Sequence, residues 1–280
     1  MTLKRAANLV LAMAMLLCAW FLLSGTSPRA LWFNLSGSTA AREAALDDRY
    51  GLQVHYEKGT PALPALWQLP PVSGTAVPAD AKCVAAFMPR IQAELEKYRP
   101  AALKAHFRNL YLFKALTLFD VDYGATVQGR DILMTLDCRA GYTGREVAKT
   151  LHHELSSLLL EESSFPSVAW KATNMAGFRY LENDQAVLAA ISEPHNMRGE
   201  ASLYRQGFLA AYGKTTLEND INLYAEVAMV EPDRLAELAE QYPRIAAKFR
   251  LLAGYYQAFV SRNYLQLVSL KDRQEASASE

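Results

Sequence analysis

The sequence predicts an α+β fold from three observations. Two strand-like runs lie between Asn109 and Leu136, a strongly capped helix follows them, and helix-period patterns fill the final third from Ala201 to Leu270. Strands grouped ahead of helices favour a sheet with helices packed on it over an alternating parallel fold. With 280 residues, 51% of them hydrophobic, the chain can bury a core as one large or two small domains. The 29 basic and 29 acidic side chains cancel, with no long block of either sign, so nothing in the charge pattern points to nucleic acid.

Lys4 and Arg5 precede an uncharged run from Leu9 to Leu23, "LVLAMAMLLCAWFLL", and "SGTSPRA" then supplies small residues and a proline. This is the order of a signal peptide, expected over residues 1–27. The run is shorter than the roughly 20 residues that span a bilayer comfortably. A cleaved signal is therefore favoured, with a tilted signal anchor as the alternative, which makes the chain exported, periplasmic or held at the inner membrane. Cys18 follows Met15, Leu16 and Leu17, where a lipid-acceptor cysteine wants small residues. In an oxidising compartment Cys83 and Cys138 form either a bridge or a pair of buried thiols.

Residues 28–78 are rich in Pro, Gly, Ser and Ala, densest in "GTPALPALWQLPPVSGTAVP", and read as a spacer or a surface loop pinned by Trp67. The folded domain is expected from residue 79 to 270, with a disordered tail over 271–280. It opens with a helix from Ala79 to Tyr98, capped by Asp80 and disturbed at Pro89, whose ring removes a helical hydrogen bond. "NLYLFKALTLF", Asn109 to Phe119, reads as a strand, and "ATVQGRDILMTL" as a second in which polar and apolar residues alternate. Gly124 and Gly129 suit a turn and a bulge.

The central helix opens on Thr143-Gly-Arg-Glu146, a capping box. At about 100° per residue, Val147, Leu151, Leu155 and Leu158 form its apolar stripe. "TLHHELSSLLL" places His153 and Ser157 one turn apart on one flank, Glu154 at the core margin, and His152 on the opposite flank. Two imidazoles at i and i+4 can share a zinc ion, with the intervening glutamate as base for its bound water. Here the second imidazole is replaced by Ser157, a poor zinc ligand.

The succession "LYLFKALTLF", "YGATVQGRDILMTL", "TLHHELSSLLL" and "GFLAAYGKTTLENDINLYAE" resembles bacterial exported zinc-binding metallopeptidases of the gluzincin-like kind. The resemblance runs from about Pro78 to Val230 and departs from the family pattern at the second histidine. It implies a zincin-like domain, in which a small sheet packs on the active-site helix ahead of a helical C-terminal part, a zinc ion, and hydrolysis of a peptide or protein substrate. It also implies His153 as metal ligand and Glu154 as general base. Thr215-Thr-Leu-Glu218 reads as a second capping box, whose helix buries Leu217, Ile221, Tyr224 and Ala228. Laid on the family's acidic motif, the third ligand falls at the neutral Asn219, so the expected ligand becomes its neighbour Glu218. Tyr212 becomes the donor to a developing oxyanion. Asp220 flanks Asn219 on the other side, and Glu226 lies far from it along the helix.

His195 and His106 are weaker candidates, and no phosphate loop or Gly-x-Ser-x-Gly elbow is present. The aromatic residues of the last helices are expected in the core. Two functions stay open: an exported metallopeptidase with a degenerate zinc site, and a catalytically inactive relative kept as a binding or scaffold module of the cell envelope.

Overall fold

The computed structural model describes residues 38–136, 138, 142–161, 164–182, 187, 189 and 194–261. The expected signal segment, the apolar run within it and the tail over 271–280 lie outside these residues. Among the described residues no helix is long and apolar enough to cross a membrane.

The fold is α+β, with a six-stranded sheet and helices packed against it. It begins well before residue 79. Helix α1 (Thr39–Tyr50) is capped by the Ser38 side chain and ends at Gly51, whose φ of 65° is the left-handed conformation of a helix stop. Strand β1 (Gln53–His55) runs parallel to β3 (Asn109–Leu118), and β2 (Thr75–Pro78) pairs antiparallel with the far half of β3. The spacer expected over 28–78 is thus largely part of the domain: Leu46, Tyr50 and Leu52 are buried in the main core. Between β1 and β2, Trp67 packs on a smaller cluster around Leu63, Phe113 and Leu116. The prolines there fall in or just before short 3-10 turns, in the turn at Pro70–Pro71, or at the end of β2 where its register shifts, and so interrupt no ladder.

Helix α2 (Ala81–Leu95) starts where the sequence predicts, with the Asp80 carboxylate accepting from the Lys82 N–H and Pro89 inside the helix. Helix α3 (Pro100–His106) leads into β3, and the ring of His106 packs edge-on against Phe259. Strand β4 (Val121–Asp122) folds back on β3. The predicted second strand is a hairpin of β5 (Ala125–Gln128) and β6 (Asp131–Thr135), because Gly129 at φ 57° turns the chain between them. Strand β6 lies parallel to β3, leaving β5 at the sheet edge. A Cys83–Cys138 disulfide ties the first turn of α2 to the segment after β6.

Helix α4 (Gly144–Glu161) carries the His-Glu motif. Its capping box forms as predicted, the Thr143 N–H donating to Glu146 Oε2 at 2.9 Å. The predicted stripe of Val147, Leu151, Leu155 and Leu158 is buried, but so are His152, Glu154, Ser156 and Ser157. A stripe describes a helix resting on one surface. Here α2 lies on one side, β5 and β6 on another, and α7 (Leu217–Val230) on a third. Between α4 and α7 the chain forms the short helix α5 (Ser167–Ala172), which the sequence does not signal, and α6 (Ala201–Gln206), at the start of the part expected to be helical. Helices α8 (Pro232–Gln241) and α9 (Pro243–Tyr256) complete the C-terminal part, with Phe249 and Tyr256 buried as expected.

Candidate functional site

The two adjacent histidines of α4 serve different neighbours. His152 is fully buried, with Nε2 2.6 Å from Glu94 Oε2 and Nδ1 2.7 Å from the Tyr98 hydroxyl. Burial pushes its pKa down, against the pull of Glu94, and the group ties α4 to α2 with no opening to solvent. His153 faces α7 instead. Its Nδ1 lies 2.6 Å from Glu226 Oε1, with the imidazole 13% and the carboxylate 8% exposed.

One turn further along α4, the Ser157 hydroxyl accepts a hydrogen bond from the Asn222 side chain at 2.8 Å. Asn222 and Glu226 are themselves one turn apart, so two antiparallel helices face each other through matched i, i+4 pairs. His153 meets Glu226, and Ser157 meets Asn222. The place a zincin gives to its second histidine is therefore filled by a buried hydroxyl bonded to a buried amide.

Glu226 is the acid that reaches His153, and it corrects the expectation placed on Glu218. Helix α7 starts one residue later than the predicted capping box, because Thr216, not Thr215, accepts from the Asn219 N–H. Thr215 instead accepts from the Asn219 amide at 2.9 Å, which occupies that side chain. Glu218 is left exposed in the first turn, with no hydrogen bond or ion pair among the described residues. It acts on the site only through its charge. Asp220 turns away into the core, 2.6 Å from Lys248. His195 falls in the turn Pro194–Met197, and its side chain lies outside the described ones.

His153, Glu154, Tyr212 and Glu226 line one cavity of about 290 Å³. Its opposite wall is the chain entering β5, at Tyr123, Gly124 and Ala125. The Tyr212 ring is 6.0 Å from the His153 ring. Burial, then the charges of Glu154, Glu226 and Glu218, raise the Tyr212 pKa, so its hydroxyl keeps its proton and can donate.

Burial opposes the charge on His153. The hydrogen bond and charge of Glu226, with further help from Glu154 and Glu218, outweigh it and lift the pKa to about 9. Glu154 is the reverse case. Burial pushes its pKa up to about 7, against the pull of the His153 charge and with the charges of Glu218 and Glu226 adding to the rise. Among the described residues Glu154 has no hydrogen-bond partner. An acid that titrates near neutrality in an open cavity can hold or release a proton under ordinary conditions.

These residues do not fit a three-ligand zinc site. The Ser157–Asn222 pair offers two neutral oxygens, each weak toward zinc, where an imidazole and a carboxylate would serve. Among the described residues, no group of three or more His, Cys, Asp or Glu side chains is placed to hold a metal ion.

With fold and site in view, a solved structure offers a comparison. The fold matches that of a solved protein. The chain aligns with the crystal structure of a "putative zinc-binding metallo-peptidase" from Bacteroides caccae at a TM-score of 0.53, over 82% of this chain and 89% of that one. Identity across the alignment is 16%, so the likeness is one of fold. No protein-family model and no curated protein matches the chain. Within this fold, the residues that sequence reasoning missed are Asn222 and Glu226. Their one-turn spacing, matching that of His153 and Ser157, is the signal that could have found them.

Glu154 gives a pH prediction. Its folded pKa is raised, so the unfolded chain ionises first as pH climbs from about 4.5, while the folded state keeps its proton until about 7. Stability attributable to this group is therefore intact in acid and falls across that window. Glu154→Gln removes the ionisation, so the variant should be more stable than wild type at pH 8 and lose that advantage toward pH 4. Thermal melts of both proteins across this range check it. A variant less stable at pH 8 would mean that Glu154 holds a bond in the fold.

Proposed function

We propose that this chain is an exported, zincin-type protein that binds peptides in the cleft between α4 and β5 without a standard zinc centre. The observation that carries this reading is the Ser157–Asn222 hydrogen bond, which closes the second ligand position with neutral groups. The fold likeness to a protein described as a zinc-binding peptidase supports a peptide as the occupant. So does β5, which pairs on one side only among the described residues and offers an edge for an extended chain. The Cys83–Cys138 bridge supports an oxidising, extracytoplasmic location.

A second reading, peptide hydrolysis, is favoured by one observation. Glu154 titrates near neutrality beside the Tyr212 donor, which is how a general base and an oxyanion partner would be disposed. Incubation of wild type and Glu154→Gln with labelled casein, with and without added zinc, separates the readings. The binding reading expects casein or its fragments to be retained by both proteins and cleaved by neither. Cleavage by wild type that disappears in Glu154→Gln would establish the peptidase and overturn the proposal.

A further inference from the structure

Beside the main cavity lies a second one of about 150 Å³, and Lys149, Met197 and Glu226 line both. Its walls are apolar, from Leu209, Leu223, Val227 and Leu238, and its rim carries Lys149 and Arg234. This is below the roughly 300–1,000 Å³ of a site for a whole small ligand, which suits one side chain and no continuing backbone.

The rim is unevenly charged. Glu231 is gripped by three cations: Lys149 Nζ at 2.6 Å, Arg145 at 2.6 Å and Arg234 at 3.0 Å. A single carboxylate is thus shared by three cations. The carboxylate is also the less accessible group, 12% exposed against 26% for Lys149, 44% for Arg234 and 57% for Arg145. An anion approaching from the cleft therefore meets the cations and not the acid they surround. The Tyr204 hydroxyl accepts a further hydrogen bond from Arg234 at 3.3 Å, which holds its planar fork in one orientation. Two further acids of the cleft are engaged elsewhere, Glu226 with His153 and Glu146 with the Thr143 cap.

We propose that this second cavity and its rim form a subsite for the C-terminal end of a peptide, with the last side chain among Leu209, Leu223, Val227 and Leu238 and the terminal carboxylate on Lys149 and Arg234. The inference rests on the peptide-binding reading above and adds the end of the chain that is recognised. Arg234 offers the ligand a guanidinium whose two terminal nitrogens already hold Glu231 and Tyr204, and Lys149 a point charge on the wall common to the two cavities. Glu231 competes with the ligand for both cations, and so sets how tightly the carboxylate is held.

The test uses a library of N-acetylated peptides that end in leucine, each made as the free acid and as the amide, and an amidated series that ends in glutamate. Retention is measured on immobilised wild type, Arg234→Gln and Glu231→Gln. Free acids should bind wild type about tenfold or more tighter than the amides, the scale of one charge-assisted hydrogen bond. Arg234→Gln should shrink that ratio, and Glu231→Gln should widen it by releasing the cations to the ligand, an effect that a merely structural role for Glu231 would not produce. Equal retention of acids and amides would overturn the subsite while leaving peptide binding intact. If amides ending in glutamate match the free acids, the rim reads a side-chain carboxylate and the C-terminal assignment falls. If no series is retained, peptide binding itself fails and this inference fails with it.

Discussion

Lys248→Met is expected to lower the unfolding free energy by about 3–5 kcal/mol, the cost of leaving a buried charge without its partner. Lys248 and Asp220 are both fully buried, with Nζ 2.6 Å from Oδ2. The same oxygen accepts from Trp170 Nε1 at 2.8 Å and from the Tyr180 hydroxyl at 2.6 Å, and Lys248 also donates to the Gly207 carbonyl at 2.9 Å. The ammonium lies 4.1 Å from the Phe208 ring centre, within cation–π range. Without Lys248 the carboxylate keeps two neutral donors but loses its counter-charge. Burial already pushes the Asp220 pKa up, and Lys248 is the chief force pulling it down. The loss should therefore be largest above neutrality and smaller in acid, where protonation removes the stranded charge. Guanidinium unfolding of wild type, Lys248→Met and the double variant Lys248→Met with Asp220→Leu checks this. The double variant should recover much of the loss, because a matched apolar pair leaves no charge behind. If the single variant is as stable as wild type at pH 8, the pair does not hold α7 to α9. That attachment fixes the register in which Asn222 and Glu226 face α4.

Loss of the Cys83–Cys138 bridge is expected to cost about 4 kcal/mol, because cross-linked residues 55 apart in sequence remove much of the unfolded chain's freedom. The bond joins α2 to the segment between β6 and α4, whose Leu136 shares the main core with Met88 of α2. The effect acts mainly on the unfolded state, so the cleft itself should change little. Unfolding of the oxidised protein, the reduced protein and Cys83→Ala with Cys138→Ala should show the last two alike and both less stable than the first. A reduced form with an unchanged midpoint would show that the loop is already constrained by other contacts.

How much of this was legible in the sequence follows from how local each signal is. The Asp80 cap, the Thr143–Glu146 box and the α4 stripe depend on residues within a turn or two of one another, and they appear as predicted. Strand β1 could not be read that way, since its partner Asn109–Tyr111 lies more than fifty positions on and its three residues carry no alternation of their own. Proline density between 59 and 78 suggested a spacer because it excludes long ladders, yet short turns packed around Trp67 tolerate it. In the site, His153 and Glu154 follow from helical phase. Glu226 does not, because measuring it against Asn219 along one helix hides its contact with a second helix. The α4–α7 pairing that brings His153 to Glu226 is a property of packing. The same holds for Asp220, which looks like an ordinary first-turn acid until Lys248 is seen beneath it.

The proposed peptide cleft holds a His153–Glu226 ion pair and a Ser157–Asn222 hydrogen bond where a zinc centre would need metal ligands. The most direct test is the zinc content of wild-type protein purified without chelator, measured by elemental analysis beside His153→Ala and the double variant Ser157→His with Asn222→Glu. The account predicts wild type far below one zinc per chain and indistinguishable from His153→Ala, with zinc rising only in the double variant, where an imidazole and a carboxylate replace the neutral pair. Wild type that carries close to one zinc per chain, and loses it in His153→Ala, would contradict it.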